Sequence, residues 1–155
     1  MYQIYTYPDF KRVLKKKSKP VKDLEEVKDL YEYMRRVVAT RENNALGLSA
    51  IQLGIRKQII AVRLSEKPYY DQSIVLINPT IEEVRGPNLL LEEGCLSLPG
   101  RWFSVVRPKF VTVSYTKPNV GNITYTFKNY DARVVLHEID HLRGKLIIDT
   151  GKEVT

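Results

Sequence analysis

A chain of 155 residues that is 43% hydrophobic can build one core burying about 70% of the surface its unfolded form exposes, and leaves no room for a second domain. Its single cysteine excludes an internal disulfide framework and suits a reducing compartment. No run of about 18 apolar residues and no charged-then-apolar start after Met1 is present, so a membrane helix and a secretory leader are excluded and a soluble, cytoplasmic protein is expected.

The formal net charge is +7, with Lys11, Arg12, Lys15, Lys16, Lys17 and Lys19 in one cluster. Such a cluster is either a solvated face or an attraction to nucleic acid, ribosomal RNA near nascent chains included. Beyond it, Val21, Leu24, Val27, Tyr31, Met34 and Val38 recur every three to four residues and predict a first helix of core residues. Pro20 stands just outside, Asp23 with Glu26 resembles a capping box, and the end is expected near Arg41 to Asn44. Residues 45–52 follow, where Gly47 permits close backbone approach. Gln52 taken alone reads as an ordinary polar loop residue.

The middle of the chain predicts β-structure. Residues 58–64, 74–78 and 80–84 are short apolar or alternating runs punctuated by Pro68, Pro79, Gly86 and Pro87. After a Gly- and Pro-rich turn around Cys95 come strands at 102–106, 111–115 and 123–127, the last two joined as a hairpin through 117–122. Helical periodicity returns at 130–142, and Gly144 is its natural C-terminal cap. Strands followed by a helix that packs on them make the class α+β.

That last helix carries His137-Glu138-Ile139-Asp140-His141, with the only two histidines in the chain. Residues four apart stack on one helix face about 6 Å apart, so both imidazoles can reach one metal ion. Glu138, rotated by roughly 100° from His137, can touch a metal-bound water but is badly placed as a ligand, which makes it the candidate general base. The bland alternative is a surface helix that happens to carry two histidines. Zinc peptidases with this motif take a third ligand from downstream. Only 14 residues follow His141, none of them His, so the third ligand has to lie upstream. Cys95 is the candidate. A lone cysteine is more often an inert buried side chain, but a Cys/His/His set would leave the open fourth position of a catalytic site.

Glu93-Gly94-Cys95-Leu96-Ser97 and His137-Glu138-Ile139-Asp140-His141 resemble the second and third signature motifs of the peptide deformylases. Residues 45–52 resemble the first, of family form G-φ-G-φ-A-A-x-Q, with Ala45 for the first Gly and Ser49 for the first Ala. Order, spacing and the opening Tyr7-Pro8-Asp9 extend the resemblance over nearly the whole chain. It implies one catalytic domain over residues 1–155, with antiparallel β-sheets packed around a central metal-binding helix. The implied activity is removal of the formyl group from N-formylmethionyl nascent peptides, water being activated by Glu138. The implied cofactor is one divalent ion, Fe(II) in the cell, with Zn, Ni or Co able to replace it in purified protein.

Carried over residue by residue, the resemblance assigns Cys95, His137 and His141 to the metal, and the Gln52 amide and Leu96 backbone N–H to the oxyanion. Leu46, Leu91, Val134 and the His137 ring would line the methionine slot, with Gly47 and Gly94 against the substrate and Tyr130 near the mouth. Glu93 resembles the residue that braces the cysteine loop, and Arg107 one that pairs with nearby acids. Leu136 stands where the family usually has Gln, next to His137 and off the metal-facing side, so it is expected to alter hydrogen bonding around the ligands. The chain ends 11 residues beyond Gly144, where many bacterial members continue into a helix tied to ribosome docking. Weak electrostatic contact with the ribosome is then what remains. Such a short form suits a phage protein working in its host's cytoplasm, as a monomer by default. A metallopeptidase is opposed by the missing downstream ligand, and a metal- or RNA-binding protein without catalysis by the retained Glu138.

Overall fold

The structure, a computed structural model, describes residues 2–41 and 44–155. Among the described residues there are four α-helices, α1 (Lys11–Leu14), α2 (Lys28–Ala39), α3 (Asn129–Leu142) and α4 (Ile147–Thr150). The strands are β1 (Gly47–Ser49), β2 (Ile59–Arg63), β3 (Ser73–Cys95), β4 (Leu98–Lys117), β5 (Gly121–Lys128) and β6 (Lys152–Glu153). They form a connected sheet in the order β1-β2-β3-β4-β5, with β6 on β4, and every pairing of these strands is antiparallel. The fold is α+β, as the strand-then-helix order predicts. Among the described residues no helix is long and apolar enough to cross a membrane.

The helix expected from Val21 onward is α2, and it starts later than its apolar stripe suggests. Asp23 Oδ1 accepts the N–H of Glu25 at 3.0 Å, a local turn that competes with a capping box to Glu26. A 3₁₀ turn at Glu25–Val27 then leads into α2. The stripe is nonetheless core: Val21, Val27, Tyr31, Met34 and Val38 are buried and Leu24 packs against them. Helix α2 ends at Ala39, where Thr40 Oγ1 donates to the Arg36 carbonyl at 2.8 Å. The remainder of the expected end falls on residues 42–43, outside the described residues.

Prolines that mark breaks in the sequence are absorbed by the sheet. The runs at 74–78 and 80–84 belong to the single strand β3, which shifts register between Ile77 and Thr80, Ile81 and Glu83, Arg85 and Asn88, and Glu93 and Cys95. Extra residues bulge out at Pro79 and at Gly86-Pro87 and the ladder resumes beyond them. The expected strands at 102–106 and 111–115 likewise fuse into β4. Cys95 is therefore not held in a free turn but ends β3, paired with Leu98 across the Leu96-Ser97 connection. The 117–122 hairpin forms as expected, with Asn119 and Gly121 at φ 65° and 116°.

Side-chain alternation along the inner strands feeds two cores. Ile59, Ala61, Val75 and Ile77 pack with α2, whereas Ile60, Val62, Ile74 and Leu76 pack with α3. Both faces of the sheet are covered, so β2 reads as an unbroken apolar run instead of an alternating one. Helix α3 is enclosed: eleven of its fourteen residues are buried, including Asp131, Arg133, His137, Glu138 and His141.

Its end is fixed by a Schellman motif. Gly144 N–H donates to the His141 carbonyl at 3.0 Å and Lys145 N–H to that of Asp140 at 2.9 Å, with Gly144 at φ 75°. A Cβ on Gly144 would also run into the carbonyl oxygen of Lys15. Gly144→Ala should therefore cost at least about 1 kcal/mol, read as a lower urea midpoint at unchanged m-value; an unaltered midpoint would refute the clash.

Candidate metal-centred active site

Helix α3 and the end of β3 bring the three candidate ligands together. The His137 and His141 ring centroids lie 5.1 Å apart, and Cys95 Sγ is 3.4 Å from His141 Nε2. One donor atom from each of Cys95, His137 and His141 lies within 4.8 Å of the others. A thiol and two imidazoles at this spacing fit a divalent transition ion and leave room for a further, non-protein ligand.

Glu93 orients this group. Its carboxylate, 5% exposed, accepts from Arg107 Nε at 2.6 Å and NH2 at 2.9 Å, from Arg133 NH1 at 2.6 Å, and faces His137 Nδ1 at 2.8 Å. A proton on Nδ1 directed at Glu93 leaves Nε2 free to take an ion. Arg133 also donates to the carbonyls of Val105 and Leu89, and Arg107 to Asp140 Oδ2, all three within 2.9 Å. Burial pushes the Glu93 carboxyl up, but the bonds from His137 and Arg107 outweigh it and hold the pKa at about 2. Burial also opposes a charge on each imidazole. Around His137 it is outweighed by Cys95, Glu138 and Glu93, which raise that pKa, whereas the charges of His137 and Arg107 add to burial at His141 and keep it neutral. His141 Nδ1 is buried without a hydrogen-bond partner among the described residues.

The 3₁₀ turn Ala50–Leu53 sets the polar groups opposite the ligands. Gln52 Oε1 accepts the Ser49 N–H at 2.9 Å, which directs Nε2 to Ser97 Oγ at 3.1 Å and toward Cys95 Sγ at 3.6 Å. Ser49 Oγ lies 2.9 Å from the Glu138 carbonyl oxygen and 3.0 Å from Glu138 Oε1. Glu138 Oε2 lies 4.0 Å from His137 Nε2, beside the candidate ligand group. Burial raises the Glu138 pKa, with His137 and Ser49 partly offsetting it. Gly47 is needed here for space, because a Cβ there would stand 2.6 Å from Glu138 Oε2.

A cavity of about 560 Å³ opens over these residues, lined by Leu46, Gly47, Gln52, Gly94, Cys95, Leu96, Tyr130, Val134, His137 and Glu138 among others. His141 sits behind the lining, 1% exposed. Leu91 is the misplaced member of the expected set: it is 46% exposed and does not line the cavity. Residues 82–92 are exposed throughout, so the ribbon that carries it has no packed layer over this side chain. Leu136 packs among the apolar residues between α3 and the sheet. Sequence reasoning missed Arg133 and Trp102, the latter a cavity residue whose ring a Cβ on Gly94 would approach to 3.0 Å. Arg133 had a signal, since it precedes His137 by one i,i+4 step on the same helix face.

A family model described as polypeptide deformylase matches residues 1–155. The chain belongs to that family. Among its deformylase relatives, the peptide deformylase of Chlorobium phaeobacteroides (strain DSM 266) is 40% identical over 140 residues, covering 88% of this chain and 73% of the relative. A peptide deformylase of Synechococcus elongatus, solved in complex with actinonin, superposes with a TM-score of 0.86 at 35% identity, over 97% of this chain and 79% of that one. A probable peptide deformylase of Synechococcus phage S-SSM7 gives 0.85 at 33% identity, over 97% and 99%. The protein is thus a hydrolase of the deformylase class.

Removing the Glu93 charge would leave the buried Arg133 guanidinium without its carboxylate partner and Arg107 with Asp140 alone. Glu93→Gln should destabilise the metal-free protein by about 3 kcal/mol at neutral pH. Because the folded carboxyl titrates at about 2 against 4.5 for the unfolded chain, the loss is full above 4.5 and fades as pH falls toward 2. Urea unfolding across that range checks it; a difference that persisted undiminished at low pH would contradict it.

Proposed function

We propose that residues 1–155 form one catalytic unit that hydrolyses the formyl group from the N-terminal formylmethionine of nascent polypeptides. The observation that supports this best is the convergence of Cys95, His137, Glu138 and Gln52 at one cavity, with His141 grouped behind Cys95 and His137. Cys95 Sγ and one nitrogen each of His137 and His141 would hold a divalent ion, Fe(II) in the cell, with Zn, Ni or Co as replacements. When bound, such an ion supplies Lewis acidity, polarising the formyl oxygen and acidifying water at the site.

The remaining work falls to the chain's own groups. Glu138 accepts a proton from the attacking water and returns it to the leaving amine. Its raised pKa strengthens it as a proton acceptor. Gln52 Nε2, fixed by the Ser49 N–H, and the backbone N–H of Leu96 donate to the oxygen that gains charge, each donor worth about 3 kcal/mol. Leu46 and Val134, with the His137 ring, bound the slot for the methionine side chain. Gly47 and Gly94 let the peptide approach, and Tyr130 stands at the mouth. The enzyme works in the cytoplasm as a monomer, drawn weakly to the ribosome by its positive charge.

Formate release from formyl-Met-Ala-Ser tests the activity directly; a purified, metal-loaded protein that released none would sink this reading. Glu138→Gln preserves size, so turnover should fall by at least about 100-fold with metal content unchanged. Loss of metal in that variant would make Glu138 a ligand instead. Cys95→Ala should keep the fold, by circular dichroism, and lose tight binding of one metal equivalent, because the thiolate best anchors a borderline ion. Retention of a full equivalent, by elemental analysis, would remove Cys95 from the ligand set.

A further inference from the structure

The formal excess of positive charge sits in one place. Lys11, Arg12, Lys15, Lys16, Lys17, Lys19 and Lys22 fall within twelve residues that contain no acid, and outside that stretch Lys plus Arg and Asp plus Glu balance at 18 each. Folding brings cations from two other parts of the chain onto the same face. Ser18 N–H donates to the Leu142 carbonyl at 2.9 Å, and Gly144 abuts the Lys15 backbone, so Arg143 and Lys145 at the end of α3 adjoin the segment. Arg56 donates to the Lys17 carbonyl at 3.1 and 2.9 Å and Lys57 bridges to Lys19, adding a second pair.

Of these eleven cations ten are exposed and Lys57 is half-buried. Among the described residues only Lys15 forms an ion pair, with Asp149. Asp23 and Glu26 border the face beside Lys22 and Lys57. No exposed large hydrophobic side chain lies in these segments, and α1 is a single turn. An interfacial membrane helix needs an apolar side to bury, and single-strand binders interleave cations with rings on which bases stack. This face offers neither. A field of cations alone suits a phosphate backbone whose bases are already paired, as in an A-form duplex recognised by shape and phosphate.

We infer that this face docks the phosphate backbone of double-stranded RNA, without reading its sequence. The commitment to RNA rests on the proposed nascent-chain substrate, which is made beside RNA. The cavity takes its α3 residues from the first ten positions of the helix, Tyr130 to Glu138, whereas the basic face forms beyond Leu142. Tyr130 and Arg143 are separated by about 20 Å of helix, so RNA bound to the face leaves the mouth open to peptide.

The test uses an RNA duplex of about 16 base pairs and fluorescence anisotropy with the metal-loaded protein. Affinity should fall by at least about 1,000-fold between 50 and 200 mM salt, the behaviour of six or more phosphate contacts. Lys16→Gln/Lys17→Gln/Lys19→Gln should bind at least about tenfold more weakly in 100 mM salt. Removing as many cations from the far hairpin, with Lys109→Gln/Lys117→Gln/Lys128→Gln, should leave affinity nearly unchanged. Equal loss in the two variants, no loss in the first, or tighter binding to phosphatidylserine vesicles than to the duplex would each overturn the inference. Formate release from formyl-Met-Ala-Ser should be the same in the first variant as in the parent, and it reads the deformylase assignment separately from RNA binding.

Discussion

The active end of this protein depends on one buried carboxylate. Glu93 lies on β3, Arg107 on β4, and Arg133 and His137 on α3, and all three partners meet its two oxygens. Burying an anion among two guanidinium groups carries a large desolvation cost, offset only because its oxygens are met by good hydrogen bonds. The arrangement thereby joins two strands to the central helix at the level of the ligands. It also sets which nitrogen of His137 is free to face Cys95, so the same charge that locks the fold orients the candidate metal-binding group.

Around that lock, the sheet works as a partition. Inner strands send alternate side chains to α2 and to α3, and the second layer buries a helix whose inner face is both core and chemistry. Val135, Leu136 and Ile139 pack toward strands while His137, Glu138 and His141 turn to the site, a division that follows from about 100° of rotation per residue. Gly47 belongs to the same design. Strand β1 can pass against Glu138 only because it has no side chain at that point, and Ser49 on the same strand reaches the Glu138 carboxylate and backbone together. An alanine at that position would have no hydroxyl to do this, so Ser49 adds a hydrogen-bonding contact to Glu138.

The contrast between the two ends of α3 bears on how such an enzyme meets its surroundings. Near its start the helix faces an open cavity with Leu46, Val134 and two half-exposed aromatics, Trp102 and Tyr130. Past its end the surface is cationic and without apolar features. One end of the helix borders a largely apolar cavity and the other a field of exposed cations.

Much of this was legible in the sequence because local spacing controls it. Two histidines four apart on a helical stripe must share a face, Gly144 after the last periodic residue must cap, and the lack of any downstream histidine directs the search for a ligand to Cys95. The helix start at Lys28 and the fusion of the predicted short strands into β3 and β4 were not legible, since a side-chain bond from Asp23 and bulges at Pro79 and Gly86-Pro87 override local propensity. Leu91 failed for a related reason: its exposure depends on what covers a long ribbon, which no local pattern records. The hub at Glu93 and the gathering of Arg56, Lys57, Arg143 and Lys145 beside residues 11–22 join positions tens of residues apart. Sequence by itself determined which groups were on hand and, within one helix, how they are spaced. Tertiary structure alone decided which distant charges become neighbours, because contacts between elements arise from packing the whole sheet and not from the few residues around each charge.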